Sequence, residues 1–216
     1  MAKVKLDITM SLDGFVAGQD RTTEQPLGER GELLHEWIVG LASWRTRHGL
    51  EGGETNVDSE ILDESMANNG AVVMGRRMFS GGHGAWEVDP RAHGWWGDEP
   101  PFGVPVFVLT HHEREPLAMQ GGTTFTFVTD GVESAVAQAR AAAGDRDVTI
   151  GGGASVAQQA LAAGLLDELQ VHVAPVLLGG GVRLFEELDA GQVALEQARV
   201  VEGQNVAHLT YRPAAG

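Results

Sequence analysis

The decapeptide Asp147-Val148-Thr149-Ile150-Gly151-Gly152-Gly153-Ala154-Ser155-Val156 constrains this chain more than any other stretch. A β-branched run meets three consecutive glycines, after which Val156, Ala157, Ala160, Leu161 and Leu165 recur at helical spacing. The pattern predicts a strand, a glycine turn and a helix. Glycines let backbone approach a ligand closely, and the first turn of a helix offers unpaired N–H groups to an anion. Two readings follow: a cradle for a dinucleotide pyrophosphate, or a tight turn with no ligand. The stretch departs from the usual G-x-G-x-x-G fingerprint. Val156 stands where the third glycine would be, and the turn comes late in the chain.

Residues 3–10 alternate, with Val4, Leu6 and Ile8 on one face, and read as a first strand. The loop Ser11–Ala17 then holds Asp13 and Gly14 among apolar residues, and 18–30 reads as a polar, mobile surface loop. Leu33, Leu34, Trp37, Ile38, Leu41 and Trp44 predict one amphipathic helix over 31–47, and Asp58 reads as the N-cap of a second. A short buried strand at 71–74 turns out through Gly75-Arg76-Arg77. The stretch 80–104 is irregular and rich in Gly, Pro, His and Trp, a length of loop that is usually functional or mobile. Strands follow at 106–109 and 124–128. Asp130 with Glu133 suggests a capping box for a helix that turns Val132, Ala135, Val136 and Ala139 inward. Another strand at 169–174 precedes an antiparallel hairpin, 193–201 with 205–211. Strands alternating with helices predict an α/β sheet, parallel for most of its width and ended by antiparallel strands. With no linker or internal repeat, residues 1–216 are expected to form a single domain.

Composition narrows the partners. A net charge of −15 argues against a nucleic-acid surface, which needs clustered Lys and Arg. It does not forbid an anionic cofactor, because local N–H groups and one or two arginines can overrule the global field. Zero cysteines exclude disulfides and thiolate metal sites and fit the cytoplasm. No apolar run is long enough to cross a bilayer, so no membrane role is expected. MAKVKLDITMSLDG enters the strand pattern directly, without the apolar core of a secretory signal.

The carboxyl ends of the strands carry the candidate chemistry. In open α/β sheets ligands bind at that edge. Gly75-Arg76-Arg77 and Gly151-Gly152-Gly153 both sit there, and Thr110-His111 ends a third strand. A guanidinium beside a glycine turn suits a phosphate, although Arg76 and Arg77 read equally as solvated surface charges. No metal site is expected. His83, His93, His111 and His112 lack i, i+4 spacing and an acidic partner, and no G-x-S-x-G nucleophile elbow occurs. Trp86, Trp95 and Trp96 line a substrate pocket or pack a loop onto the domain.

SLDGFVA, VVMGRRMF, PPFGVPVFVLTHHERE, TIGGGASVAQQAL and DELQVHVAPVLLGGGVRLFEEL occur in that order. Together they resemble the dihydrofolate-reductase-like superfamily, and most of all the C-terminal reductase domain of bacterial riboflavin-biosynthesis deaminase/reductases, in a stand-alone form. The resemblance runs from about residue 3 to residue 211. It implies a three-layer sandwich whose mostly parallel central sheet is closed by the C-terminal antiparallel hairpin, and a reductase that binds NADPH across the carboxyl edge. By that resemblance Gly75 and Arg76 approach the 2′-phosphate with Arg77 as helper, and Leu109, Thr110 and His111 flank the adenine ribose. Gly151, Gly152, Gly153, Ala154 and Ser155 cradle the pyrophosphate. The Asp13-Gly14 loop covers the nicotinamide, and Val16 and Ala17 touch it. A homodimer is the expected assembly.

Two departures from the family pattern stand out. Met78 occupies the place of a threonine in the folate branch, and GELLHEWIV around Glu32 and Glu36 does not match the folate-reducing acid motif. The expectation is therefore hydride transfer to a C=N or C=O bond of a small heterocyclic or sugar-linked substrate, with Asp13 as first candidate for proton donor. Asp13 reads equally as part of an Asp-Gly turn. The alternative from another class is a protein that binds NADP(H) without reducing anything.

Overall fold

The structure, a computed structural model, describes residues 2–186 and 193–214. Strand β1 (Val4–Ser11) buries Val4, Leu6 and Ile8 on one face, and a turn at Leu12–Gly14 leads to β2 (Phe15–Ala17). Next come α1 (Glu36–Val39), α2 (Ala42–Arg47), α3 (Val57–Ala67), β3 (Asn69–Gly75) and α4 (Arg76–Ser80). Then follow β4 (Pro105–Leu109), β5 (Leu117–Ala118), β6 (Thr124–Val128) and α5 (Val132–Ala143). The chain continues through β7 (Asp147–Gly152), α6 (Ala154–Ala162), β8 (Glu168–Ala174), β9 (Val182–Arg183), β10 (Leu195–Glu202) and β11 (Ala207–Pro213).

Nine strands form one sheet in the order β10-β11-β8-β1-β7-β3-β4-β6-β5. The run from β8 to β6 is parallel, while β10, β11 and β5 are antiparallel to their neighbours. The short β2 pairs with β9 outside this sheet. Helices α5 and α6 cover one face, where Val4, Leu6, Val73, Val148, Ile150 and Leu169 meet Ala135, Val136, Ala157 and Ala160. The opposite face is divided. Val72, Met74, Val106, Val108 and Phe125 pack under Phe79 and the 80–104 segment, while Trp37, Leu41 and Val206 form a smaller cluster with Leu62 of α3. This is the expected three-layer α/β sandwich.

Three boundaries differ from expectation. The helix expected over 31–47 is a 3-10 turn (Gly31–His35) followed by α1 and α2. Its hydrogen bonding is interrupted where Leu41 turns extended and bridges Glu54: the Ala42 N–H donates to Glu54 O at 2.8 Å and the Glu54 N–H to Gly40 O at 2.9 Å. The apolar stripe nevertheless points inward, with Leu34, Trp37 and Leu41 buried. Helix α3 is capped by Asn56, whose side chain accepts from the N–H groups of Asp58 and Ser59, with Ser59 returning the bond as a capping box. Asp58 is freed for the interior. Helix α5 starts at Gly131, with no side-chain cap from Asp130.

Candidate active site

Parallel pairing brings the predicted strand ends to one edge. Met74 lies opposite Gly152, Gly75 opposite Leu109, and Leu109 opposite Val128. Gly75, Leu109-Thr110-His111 and Gly151-Gly152-Gly153 therefore follow one another along the carboxyl edge, with Asp13–Ala17 leaving β1 on the same side.

The glycine turn is tight for physical reasons. Gly152 and Gly153 have φ of 151° and 91°, and a Cβ on Gly152 would stand 2.8 Å from Met78 Sδ. A Cβ on Gly75 would lie 3.2 Å from Val156 Cγ2, so the ends of β3 and β7 and the start of α6 close on one another without side chains between them. The Val156 and Ala157 N–H groups both donate to Gly153 O, and those of Ala154 and Ser155 in the first turn have no acceptor within the helix. A dinucleotide pyrophosphate fits this cradle: glycine backbone that can be approached closely, and N–H donors at a nine-residue helix's start.

The Arg76 side chain is engaged within the chain. Its guanidinium is buried, pairs with Asp89, bonds Ser80 Oγ, and lies flat on the Trp86 indole with Cζ 3.5 Å from the ring centroid. Arg114 approaches Trp86 as well, at 4.8 Å, and the indole N–H donates to His112 O at 3.0 Å. Despite the desolvation that opposes it, the Asp89 carboxyl is held below its usual range by Arg76, the Arg91 N–H and Ser80. The neighbouring Arg77 is exposed. Thr110 is buried; its N–H donates to Val128 O at 3.0 Å and its hydroxyl accepts from the His112 N–H at 3.2 Å, whereas His111 is exposed.

Asp13 has the geometry of a clamp. One carboxylate oxygen accepts from Ser11 Oγ at 2.6 Å and from the Leu178 N–H at 3.2 Å, and the other from the Gly179 N–H at 2.8 Å. The Ser11 hydrogen bond, assisted by those two N–H groups, holds its carboxyl below the ordinary Asp value against a desolvation cost. Such a carboxylate accepts protons poorly and has none to give near neutrality. Its work is to fasten the β1–β2 turn to the 175–181 segment. Arg183 adds a bond to Asp13 O at 3.2 Å and lies over the Phe15 ring at 4.4 Å.

Sequence reasoning missed a buried polar chain on the α3 face of the sheet. His172 Nε2 meets Asp7 Oδ1 at 3.0 Å, His172 Nδ1 meets His208 Nδ1 at 2.6 Å, and His208 Nε2 meets Asp58 Oδ1 at 3.0 Å. Trp37 packs on both imidazoles, 4.9 and 5.4 Å between ring centroids, and donates its indole N–H to Thr9 Oγ1 at 3.3 Å. The available signal was faint: Asp7, Thr9, His172 and His208 occupy the polar positions of alternating strands, the pattern of a solvated face.

The tryptophans of 80–104 part company. Trp86 seals Arg76, whereas Trp95 and Trp96 line a cleft of about 850 Å³ together with Arg47, His48 and Phe102. Gly103 and Gly121 border this cleft, which places it towards the amino ends of β4 and β6 rather than at the carboxyl edge.

The sheet order and the edge it exposes define the fold of dihydrofolate-reductase-like α/β proteins. Within that class the chain belongs to the family of the RibD C-terminal domain, whose model matches residues 2–209. That family is one of riboflavin-pathway-reductase-like proteins. Among solved structures, the chain resembles a putative riboflavin biosynthesis protein from Shewanella sp. PV-4, with 22% identity, a TM-score of 0.64 and 99% of both chains covered. It also resembles RibD of Acinetobacter baumannii (19% identity, TM-score 0.58), where 99% of this chain spans 58% of the other. A dihydrofolate reductase from Enterococcus faecalis, complexed with NADP(H), shares the fold at 15% identity and a TM-score of 0.53, covering 99% and 97%. No curated protein matches the sequence. Among the described residues, no helix is long and apolar enough to cross a membrane.

Proposed function

We propose that the protein is an NADPH-dependent reductase acting on a C=N or C=O bond of a small heterocyclic or sugar-linked substrate. The observation that carries this reading is the close approach of Gly75 to Gly153 and to the first turn of α6 at the carboxyl edge, where a Cβ on Gly153 would stand 3.7 Å from Gly75 Cα and one on Gly75 3.2 Å from Val156 Cγ2. NADPH, when bound, supplies the hydride. Gly151, Gly152, Gly153, Ala154 and Ser155 hold the pyrophosphate through backbone. Leu109, Thr110 and His111 border the adenine ribose, and Gly14, Val16 and Ala17 border the nicotinamide.

The β1–β2 turn orients the reaction. Asp13 fixes this turn to the backbone of Leu178 and Gly179, so Val16 and Ala17 present a set surface to the ring. Orientation of this kind converts an encounter into a near-unimolecular step. With the Asp13 carboxylate engaged as an acceptor, the proton for the substrate heteroatom comes from water. Zero cysteines support a cytoplasmic setting, and the edge strand β10, exposed over nearly all its length, is the surface available to a second copy in a homodimer.

Titration of the purified protein with NADPH and NADH, read by tryptophan fluorescence or calorimetry, tests the reading. Micromolar NADPH binding is the expected result, followed by turnover in a substrate screen. Binding without turnover on any carbonyl or imine substrate favours a cofactor-binding protein; binding of neither nucleotide overturns the proposal.

A further inference from the structure

The six methionines hold all of the chain's sulfur, since it has no cysteine. One of them belongs to the glycine turn. Met78 lies on α4, and its side chain runs along the Gly151-Gly152 backbone: a Cβ on Gly151 would stand 3.6 Å from Met78 Cε, and one on Gly152 2.8 Å from Met78 Sδ. The thioether therefore walls the turn that leads into α6, where the Ala154 and Ser155 N–H groups have no acceptor within the helix. Met78 is partly exposed, whereas Met74 on β3 is fully buried in the same apolar cluster.

A thioether in that place is apolar and only a weak acceptor. Reaction with hydrogen peroxide changes this. The sulfur lone pair attacks one peroxide oxygen, the O–O bond breaks, and the departing hydroxide takes the proton of the transferred oxygen to leave as water. Sulfur is oxidised and peroxide reduced by the same electron pair, so thioether and peroxide give sulfoxide and water. The sulfoxide is polar and carries an acceptor oxygen. That oxygen finds no free space on the Gly152 side, where a Cβ would already meet the sulfur at 2.8 Å. Its partial negative charge beside the first turn of α6 competes for the N–H groups there and repels an incoming phosphate oxygen. Among the described residues, the other partly exposed methionines lie elsewhere. Met66 Sδ accepts from Arg47 at 2.7 Å near the end of α3, and Met10 and Met119 lie on β1 and beside β5.

We propose that Met78 is a peroxide-sensitive switch on the glycine cradle. Its sulfoxide closes the Gly151-Gly152-Gly153 turn to a dinucleotide, and reduction to the thioether reopens it. The switch rests on the reductase reading for the identity of the nucleotide and adds regulation to that site.

Calorimetric titration of the full chain with NADPH, before and after graded peroxide treatment and removal of the peroxide, tests the switch. Peptide mass spectrometry follows the gain of one oxygen at each methionine. NADPH affinity should fall about ten- to hundredfold in step with oxidation of Met78, at an unchanged melting temperature. Methionine sulfoxide reductases for both epimers should restore it. Met78→Leu, compared with itself, should bind equally well before and after treatment. Met78→Gln, which fixes a polar group at that place, should bind weakly without any oxidant. A loss that follows another methionine, that recurs in treated Met78→Leu, or that comes with a lower melting temperature overturns the switch. Full affinity with Met78 oxidised overturns it as well, as does a Met78 that peroxide leaves intact. Should Met78→Leu fail to fold, the wild-type time course and its reversal decide. Untreated wild type that binds no nucleotide defeats the reductase reading and the switch with it; binding that survives oxidation of Met78 defeats the switch alone.

Discussion

His172 and His208 share a hydrogen bond through their Nδ1 atoms, 2.6 Å apart, while each turns its Nε2 to a carboxylate. An N–H···N bond needs one hydrogen, and two Nε2–H groups facing Asp7 and Asp58 need two more. The hydrogen between the rings belongs to one of them, so the two imidazoles and their two carboxylates form one continuous chain of donors and acceptors. Asp7 closes one end of this chain. Burial would raise its carboxyl pKa, yet the charge and hydrogen bond of His172, with help from Ser65, hold it below the usual value. The arrangement joins β1, β8, β11 and α3 in a single unit.

The pair makes stability depend on pH. Burial, and then the neighbouring His172, pushes His208 below the ordinary histidine pKa, with Asp58 opposing. The folded state therefore excludes a proton that the unfolded chain accepts. The stabilisation is present above the unfolded value of about 6.5 and is lost as pH falls through the folded pKa. Thermal melts from pH 8 to pH 5 should show the midpoint falling below pH 6.5, and His208→Gln should flatten that slope. A wild-type midpoint constant over this range is incompatible with a depressed His208.

Arg76→Ala should act on stability before it acts on binding. The substitution leaves Asp89, whose side chain is 2% exposed, without its buried counterion. Breaking such a pair costs about 3–5 kcal/mol. Urea unfolding should register that loss, while Arg76→Met with Asp89→Leu should recover most of it. A selective loss of NADPH affinity at full stability would return the 2′-phosphate contact to Arg76.

Asp13→Ala should loosen the join between the β1–β2 turn and the 175–181 segment. Removal of the shared acceptor leaves the Leu178 and Gly179 N–H groups without it, at about 1–2 kcal/mol in a partly exposed site. Denaturant midpoints should fall, and kcat should keep its pH profile. Disappearance of a pH limb from kcat with stability intact would instead make Asp13 an acid–base group.

Gly152→Ala meets both a backbone and a steric obstacle, with φ at 151° and Met78 Sδ 2.8 Å from the new Cβ. A cost of about 1–3 kcal/mol is expected for the strain, along with weaker nucleotide binding. Met78→Ala in the same chain should relieve the contact and leave the dihedral cost. Full recovery in the double variant would show that the conformation itself is not glycine-dependent.

Much of the fold was legible because its signals were local. The alternation in β1, the glycine turn after β7 and the stripes of α5 and α6 each act within a few residues, and the sheet topology follows from their order. What failed depended on distant partners. Leu41 leaves the helix because Glu54 takes its neighbours' backbone bonds, and Asp58 abandons a capping role for His208, 150 residues away. Arg76 likewise takes its partners from outside its own turn. Its sequence neighbours place it at the cofactor edge, but Asp89 and Trp86, supplied by a segment without periodicity, determine where its charge goes. The histidine pair was hidden because alternation cannot distinguish a wet face from a buried polar one.

Strand β1 lies inside the sheet between β7 and β8, and it pairs with Val148–Ile150 on one side and Glu168–Ala174 on the other. Once synthesised, β1 therefore has no lasting neighbour in this sheet until more than a hundred further residues have been made. At a synthesis rate of about 5–20 residues per second, that wait is on the order of ten seconds. Throughout it the edges of β1 are unpaired and Leu6 and Ile8 lack a covering layer. The yield of a chain with this topology should respond to translation speed as much as to the stability of the finished fold.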